Sequence, residues 1–183
     1  MKALFTVMIA IMLALPVQAQ EVAGVKLDKT VTVNNHTLKL NGYGIRKKFF
    51  VKVYIGSLYS ENRLPSATEA LKDSGGKLIR MNFLHSKVEK EKIIDAFSEG
   101  FANNAPDMVT SGEAKKFLSL FSADFNRGDV VDLTLGGDGM VSARHNGKAL
   151  GNIASVRLAK AVLAIYLGDK PADDALKNGM LGK

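Results

Sequence analysis

The sequence has 183 residues, 25 lysines and arginines against 18 aspartates and glutamates, a net charge of +7, and no cysteine. Without cysteine, disulfides, thiol catalysis, iron–sulfur clusters and cysteine-based zinc sites are excluded, and stability has to come from packing and hydrogen bonds. The basic residues are scattered and lack aromatic interleaving, so they read as a solubilising surface or an attraction for anionic ligands, and not as a nucleic-acid interface.

Met1 to Ala19 read as a secretory signal peptide. Lys2 supplies the positive start, Ala3 to Leu15 the apolar run, Pro16 the break, and Val17-Gln18-Ala19 the small residues that signal peptidase recognises. The run is shorter than the about 20 apolar residues of a spanning helix, and no cysteine follows it to carry a lipid. An uncleaved anchor or a buried helix is the alternative. Cleavage leaves residues 20–183, whose net charge is +6 because Lys2 is lost from the +7 of the whole chain. That length suits one domain with its own core and leaves no stable membrane span.

In chain order, Thr30 to Val33 and Thr37 to Leu40 pattern as strands, and Asn34-Asn35 tolerates the left-handed turn of a tight hairpin between them. Gly42-Tyr43-Gly44 follows. Phe49 to Tyr59 is largely apolar on both faces, with Phe49, Val51, Val53 and Ile55 on one and Phe50, Lys52, Tyr54 and Leu58 on the other. It is expected to be a central strand covered on each side. Ser66-x-x-Glu69 after Pro65 opens a short helix that Gly75-Gly76 ends, and Lys77 to Leu84 is another strand. Ser86 with Glu89 forms a second capping pattern, opening a helix to about Asn103 with Ile93, Ile94, Phe97 and Phe101 on one stripe. Thr110 with Glu113 forms a third, before a helix that buries Phe117, Leu118, Leu120 and Phe121.

Asp129 to Leu135 and Met140 to His145 pattern as paired strands linked by Gly136 to Gly139, and Asn146-Gly147 signals a hairpin into a short strand at Lys148 to Leu150. Asn152 is the expected cap of a last long helix, Ile153 to Leu167, stopped by Gly168. One more short helix, packed by Leu176 and Leu181, ends the chain. This order of strands and helices gives an α+β fold.

Two segments resemble the chalcone isomerase-like family. Gly42-x-Gly44-x-Arg46, then Phe50-x-Lys52 and Leu58-Tyr59, is similar to the family's G-x-G-x-R … F-x-K … L/V-Y signature, and Leu158 to Leu163 with Gly168 resembles its last core helix. The Leu167-Gly168-Asp169-x-Pro171 and Leu176-Lys177-x-Gly179 ending looks closest to the bacterial exported branch, which implies a periplasmic location. The resemblance covers nearly all of residues 20–183. It implies an open-faced β-sandwich, a large antiparallel sheet with a layer of helices on one face and a ligand cleft between them. Some family members are isomerases that close a flavonoid ring; others bind fatty acids in the same cleft without catalysis. In both, the arginine of G-x-G-x-R faces the cleft.

Arg46 is therefore the first candidate. Its planar, permanently charged fork suits a carboxylate, and equally the oxyanion of a ring closure; the bland reading is an arginine that closes a turn. Gly42 and Gly44 read as backbone devices for a bulge or a close approach. Tyr54 falls where the isomerases carry a threonine, so it is a ligand contact or a core tyrosine. By the same alignment His85 falls near the family's active-site tyrosine and Lys92 near its asparagine; otherwise they are a loop histidine and a solvated lysine. Asn152 is near a polar substrate contact of the catalytic members, or simply a helix cap. His36, His85 and His145 are not at metal-ligand spacing, and no phosphate or dinucleotide fingerprint occurs. No metal or cofactor is expected. Phe97, Phe101, Phe117 and Phe121 are core residues, or the lining of an apolar cleft.

The leading expectation is a non-catalytic periplasmic binding protein. It would hold a small amphipathic, fatty acid-like acid with Arg46 at the head group and Tyr54, His85 and Asn152 as further contacts. The alternatives are an isomerase or intramolecular lyase acting on a conjugated ketone, and a structural or interaction protein of the envelope. The oligomeric state stays open.

Overall fold

The computed structural model describes residues 20–183 and begins with a small hairpin, Gln20–Val22 (β1) with Val25–Leu27 (β2). The stretch read as a signal peptide, Met1 to Ala19, lies outside the described residues. Asn34 and Asn35 then take φ values of +49° and +64°, as a two-residue hairpin requires, and join Thr30–Val33 (β3) to His36–Lys48 (β4). Val51–Ser60 (β5) turns back along β4. Ser66 caps Ala67–Lys72 (α1) as expected by accepting the Glu69 N–H, while its hydroxyl, and not its backbone N–H, donates to the Glu69 carboxylate. Lys77–Phe83 (β6) re-enters the sheet, and the short Lys87–Val88 (β7) leads into Lys90–Asn104 (α2). A 3₁₀ turn at Pro106–Met108 and Gly112–Ser119 (α3) follow, and Phe125–Asn126 (β8) pairs with β7. Val130–Leu135 (β9), Met140–His145 (β10), Lys148–Ala154 (β11), Val156–Leu167 (α4) and Asp174–Met180 (α5) complete the chain.

The main sheet has seven antiparallel strands in the order β3-β4-β5-β6-β9-β10-β11. Its large apolar cluster lies between sheet and helices: Leu58, Ile79, Leu133 and Val141 meet Phe97, Phe101, Leu158 and Val162. Each such side chain contributes about 1.5–3 kcal/mol by leaving water. The other face holds only a small cluster, Leu38, Tyr59 and Leu78, beside a two-pronged Arg80–Asp132 pair at 2.8 and 2.9 Å. The α+β open-faced sandwich is therefore present as expected. Among the described residues, no helix is long and apolar enough to cross a membrane.

Several expectations need correction, each for a local reason. The Ser86–Glu89 capping box does not form: Lys87 and Val88 are drawn into the ladder with β8, and the Lys90 N–H is accepted by Asp124 at 3.0 Å instead. Ser111, not Thr110, caps α3. The strand after Asn146-Gly147 runs on to Ala154, because a register shift at Ala143/Arg144 lets β11 stay paired; Ser155, not Asn152, then caps α4. Phe49 and Phe50 do not begin β5 but form its turn with β4.

Two register shifts between β4 and β5 position the site. At the first, Asn41 stands unpaired and its amide donates to the carbonyls of Leu64 and Met180 while accepting the Leu64 N–H. At the second, Val53 is the extra residue between the Arg46–Tyr54 and Lys47–Lys52 pairs. Its carbonyl accepts the N–H groups of Leu84 and His85, at 2.9 and 3.2 Å. The bulge switches the strand's alternation, so the two-face pattern expected from Phe49 to Tyr59 breaks at Val53.

Candidate functional site

A cavity of about 620 Å³ opens between the β4–β5 end of the sheet and the helix layer. Because of the bulge, Val51, Val53 and Tyr54 all line it, where strict alternation would have turned Tyr54 away from the other two. Met81 of β6 continues the sheet wall. Ile93, Ala96 and Phe97 of α2 and Ile165 and Tyr166 of α4 form the opposite wall. Phe97 also stacks into the ring cluster beneath α3, with Phe117 and Phe121 each 5.1 Å away. Phe101, Phe117 and Phe121 are thus core, and Phe97 is the member of that group that reaches the cleft.

Arg46 comes from the last turn-ward residues of β4, opposite Tyr54. Its side chain is 18% exposed and lies on the cavity wall. Nη1 donates to the Ala172 carbonyl and stands 3.8 Å from the Asp173 carboxylate. Asp173 is itself committed elsewhere, accepting the N–H of Leu176 at 2.9 Å as the cap of α5 and that of Lys47 at 3.2 Å. Among the described residues, the protein hydrogen bond of this guanidinium runs through Nη1, which leaves donors of the fork for a ligand.

The G-x-G before Arg46 serves this arrangement. A Cβ on Gly42 would lie 2.2 Å from the Gly179 carbonyl, and one on Gly44 would lie 2.8 Å from the Leu176 Cα. Both glycines therefore let α5 lie backbone-to-backbone on β4. The close approach brings Ala172 and Asp173, at the start of that segment, onto Arg46.

The floor is built from phenols. Tyr54 is 6% and Tyr166 2% exposed, and the Tyr166 hydroxyl donates to Met81 Sδ at 3.4 Å. Burial pushes the Tyr54 phenol up to about 12, with Arg46 and the Tyr166 hydroxyl pulling part of the way back. Tyr166 is raised well above its ordinary value, first by burial and then by Tyr54. Both therefore stay protonated at physiological pH and can act as hydrogen-bond donors, not as bases.

His85 lines the cavity, half-buried, and Lys92 lies exposed at its edge on α2. Lys48, Lys87, Glu89, Asp95 and Glu99 complete a charged rim, on which Lys87 pairs with Asp124 at 2.9 Å. Asn152 does not join the site. It is exposed on β11 opposite Ser142, with β10, β9 and β6 between it and β5. The alternative reading, a cap on α4, fails as well, because Ser155 takes that place. Among the described residues, no three or more His, Asp or Glu side chains gather as a metal would need.

Tyr166, Met81 and Asp173 escaped the sequence reading. Tyr166 had a signal: Leu158, Val162 and Tyr166 fall at i, i+4 and i+8 on the buried face of α4. Asp173-x-x-Leu176 likewise had the spacing of a helix cap. Met81 had none, since a strand methionine looks the same in a core and in a cleft.

A family model described as chalcone isomerase-like matches residues 19–182. The curated fatty-acid-binding protein 1 of Arabidopsis thaliana is 25% identical over 108 residues; the match takes in 56% of this chain but 39% of that relative, so the chain spans well under half the relative's length. A solved structure of an Arabidopsis thaliana fatty-acid binding protein superposes with a TM-score of 0.63 at 20% identity, over 83% of this chain and 95% of that one. At that identity the superposition speaks for the fold.

Proposed function

This chain belongs to the chalcone isomerase-like family, and on that footing we propose that its cleft holds a small amphipathic acid of the fatty acid kind, without turning it over, with the carboxylate on Arg46. The observation that carries this reading is Arg46 itself, a half-satisfied guanidinium on the wall of a hollow whose interior is mainly apolar and whose rim is charged. The cavity volume of about 620 Å³ lies within the range of about 300–1,000 Å³ usual for small-molecule sites. Val53, Ile93, Phe97 and Ile165 offer an acyl chain the contact it needs, and the neutral phenol of Tyr54 can donate near the head group. The name of the Arabidopsis relative, a fatty-acid-binding protein in both the sequence match and the solved structure, supports the same ligand class. For the isomerase alternative Tyr54 could serve only as a hydrogen-bond donor, because burial pushes its phenol up to about 12 and keeps it from acting as a base. The periplasmic location is part of the proposal and rests on the Met1 to Ala19 pattern and on the resemblance of the chain's ending to the exported branch.

Native mass spectrometry of protein purified from its own cells, followed by denaturing extraction, tests both parts. The expected result is a chain beginning at Gln20 that carries a long-chain acid, with Arg46→Gln lowering affinity for that acid about tenfold or more, as the loss of a charge-assisted pair predicts. An unchanged affinity in Arg46→Gln would remove Arg46 from the head-group site. A protein that neither co-purifies with nor takes up fatty acid would overturn the ligand assignment, and a chain retaining Met1 would overturn cleavage of the signal peptide.

A further inference from the structure

The turn between β4 and β5 carries the most exposed apolar side chains among the described residues. Phe49 is 87%, Phe50 101% and Val51 42% exposed. Folding leaves these rings in water although the core is a short distance along the same strands. Phe49 moreover sits at φ +56°, a left-handed conformation that favours glycine and strains a bulky residue. The chain thus keeps a phenylalanine where glycine would be easier, and points it outward.

The surrounding charge says what such a tip would meet. Lys47, Lys48 and Lys52 flank the rings and are all exposed, giving the run Lys47-Lys48-Phe49-Phe50-Val51-Lys52 without an acidic residue. The ion pairs among the described residues do not involve these three lysines. Two adjacent aromatic side chains in a collar of ammonium groups that no carboxylate pairs, Lys48 lying 5.9 Å over the Phe49 ring, complement a surface that is anionic outside and apolar just beneath. That is the cross-section of a phospholipid leaflet with acidic head groups.

We propose that the Phe49–Phe50 turn docks on an anionic phospholipid bilayer, the rings entering the acyl boundary and Lys47, Lys48 and Lys52 meeting lipid phosphates. Phe49 and Lys48 also line the cavity, so docking brings the mouth of the cleft against the bilayer. Passage of a ligand between the two would rest on the proposed cargo; the docking does not, and an empty protein docks as well.

The chain contains no tryptophan, so Phe50→Trp in the full mature protein gives emission from the tip alone. With phosphatidylglycerol vesicles the emission is expected to shift to the blue; with pure phosphatidylcholine vesicles the shift is smaller, and added salt reverses it. In co-sedimentation with phosphatidylglycerol vesicles, Phe50→Ser lowers partitioning about tenfold or more, and Lys52→Glu about fivefold or more. Neither side chain packs in the fold, and unchanged far-ultraviolet circular dichroism checks this. Unshifted emission with phosphatidylglycerol vesicles overturns the proposal. So does a blue shift that appears without vesicles and grows with protein concentration, which would mean that the tip seats on a second copy of the chain.

Discussion

Arg46 and Lys77 stand at opposite ends of the same strand pairings. At one end Tyr54 of β5 meets Phe83 and faces Arg46; at the other Ser60 of β5 meets Lys77. The Lys77 ammonium has three protons, and it places them on the Asp73 carboxylate at 2.7 Å, the Asp73 carbonyl at 2.8 Å and the Gly75 carbonyl at 2.9 Å. Its side chain is 4% exposed. This cation is saturated, and its work is to hold the end of α1 onto the sheet. Arg46 also grips a carbonyl, that of Ala172, and also has a carboxylate nearby, but with Nη1 alone, while the rest of its fork borders a hollow. The same chemistry closes the fold at one end and leaves it receptive at the other. What separates the two is how many donors remain after the protein's own acceptors are served.

The largest expected effect falls at the closed end. Lys77→Met leaves the Asp73 carboxylate and two carbonyls without their shared donor, and the loss should be about 3 kcal/mol, as for breaking a mostly buried ion pair. Urea unfolding measures it, with fatty acid affinity expected to stay unchanged. A loss below about 1 kcal/mol would mean that Lys77 is not the saturated, structural partner in the comparison. A smaller effect is expected at the open end when its hollow is filled. Ala96 lines the cavity from α2. An added ring in a packed core costs about 1–3 kcal/mol, whereas Ala96→Phe should change stability by less than about 1 kcal/mol and weaken long-chain fatty acid binding about tenfold, equal to about 1.4 kcal/mol. Strong destabilisation with unaltered uptake would show that the space beside Ala96 is packed and that the ligand goes elsewhere.

The fold was legible where the sequence repeats a local rule. Asn34-Asn35 and Asn146-Gly147 mark turns by their tolerance of positive φ, and the structure has them. The stripe of Ile93, Phe97 and Phe101 is buried as its spacing predicts. Capping was legible only in part, because a cap depends on where the preceding strand ends. After Ser86 a short strand intervenes, and at Asn152 the strand runs on, both through pairing with distant residues that no local window shows. The site divides the same way. Gly42-x-Gly44-x-Arg46 was readable as a motif, but its physical meaning, a seat for α5 that brings the residues just before that helix onto Arg46, needs a contact between residues far apart in the chain. The bulge at Val53 is the clearest case: one extra residue brings Val51, Val53 and Tyr54 into the same cavity, and nothing in the apolar pattern announces it.

The smallest expected effect is a pH dependence confined to the closed end. Burial pushes the Asp73 carboxyl up, but Lys77, Asn62 and the Gly75 N–H more than offset this and hold it below its ordinary 3.8. A carboxyl lowered in the folded state contributes stability that is fully present above the unfolded value and is lost as pH falls through the folded one. Asp73→Asn removes that contribution. The stability difference between parent and variant should therefore be constant from pH 7 to about 5 and narrow progressively below 3.8. Urea unfolding of both proteins across that interval reads the difference directly, so acid effects common to the two cancel. A gap still undiminished at about pH 2 would mean that the charge of Asp73 adds little and that carbonyls and shape suffice to hold Lys77. The two ends would then differ only in whether space was left beside the cation, and the count of unused donors would lose its force as a guide to where a ligand binds.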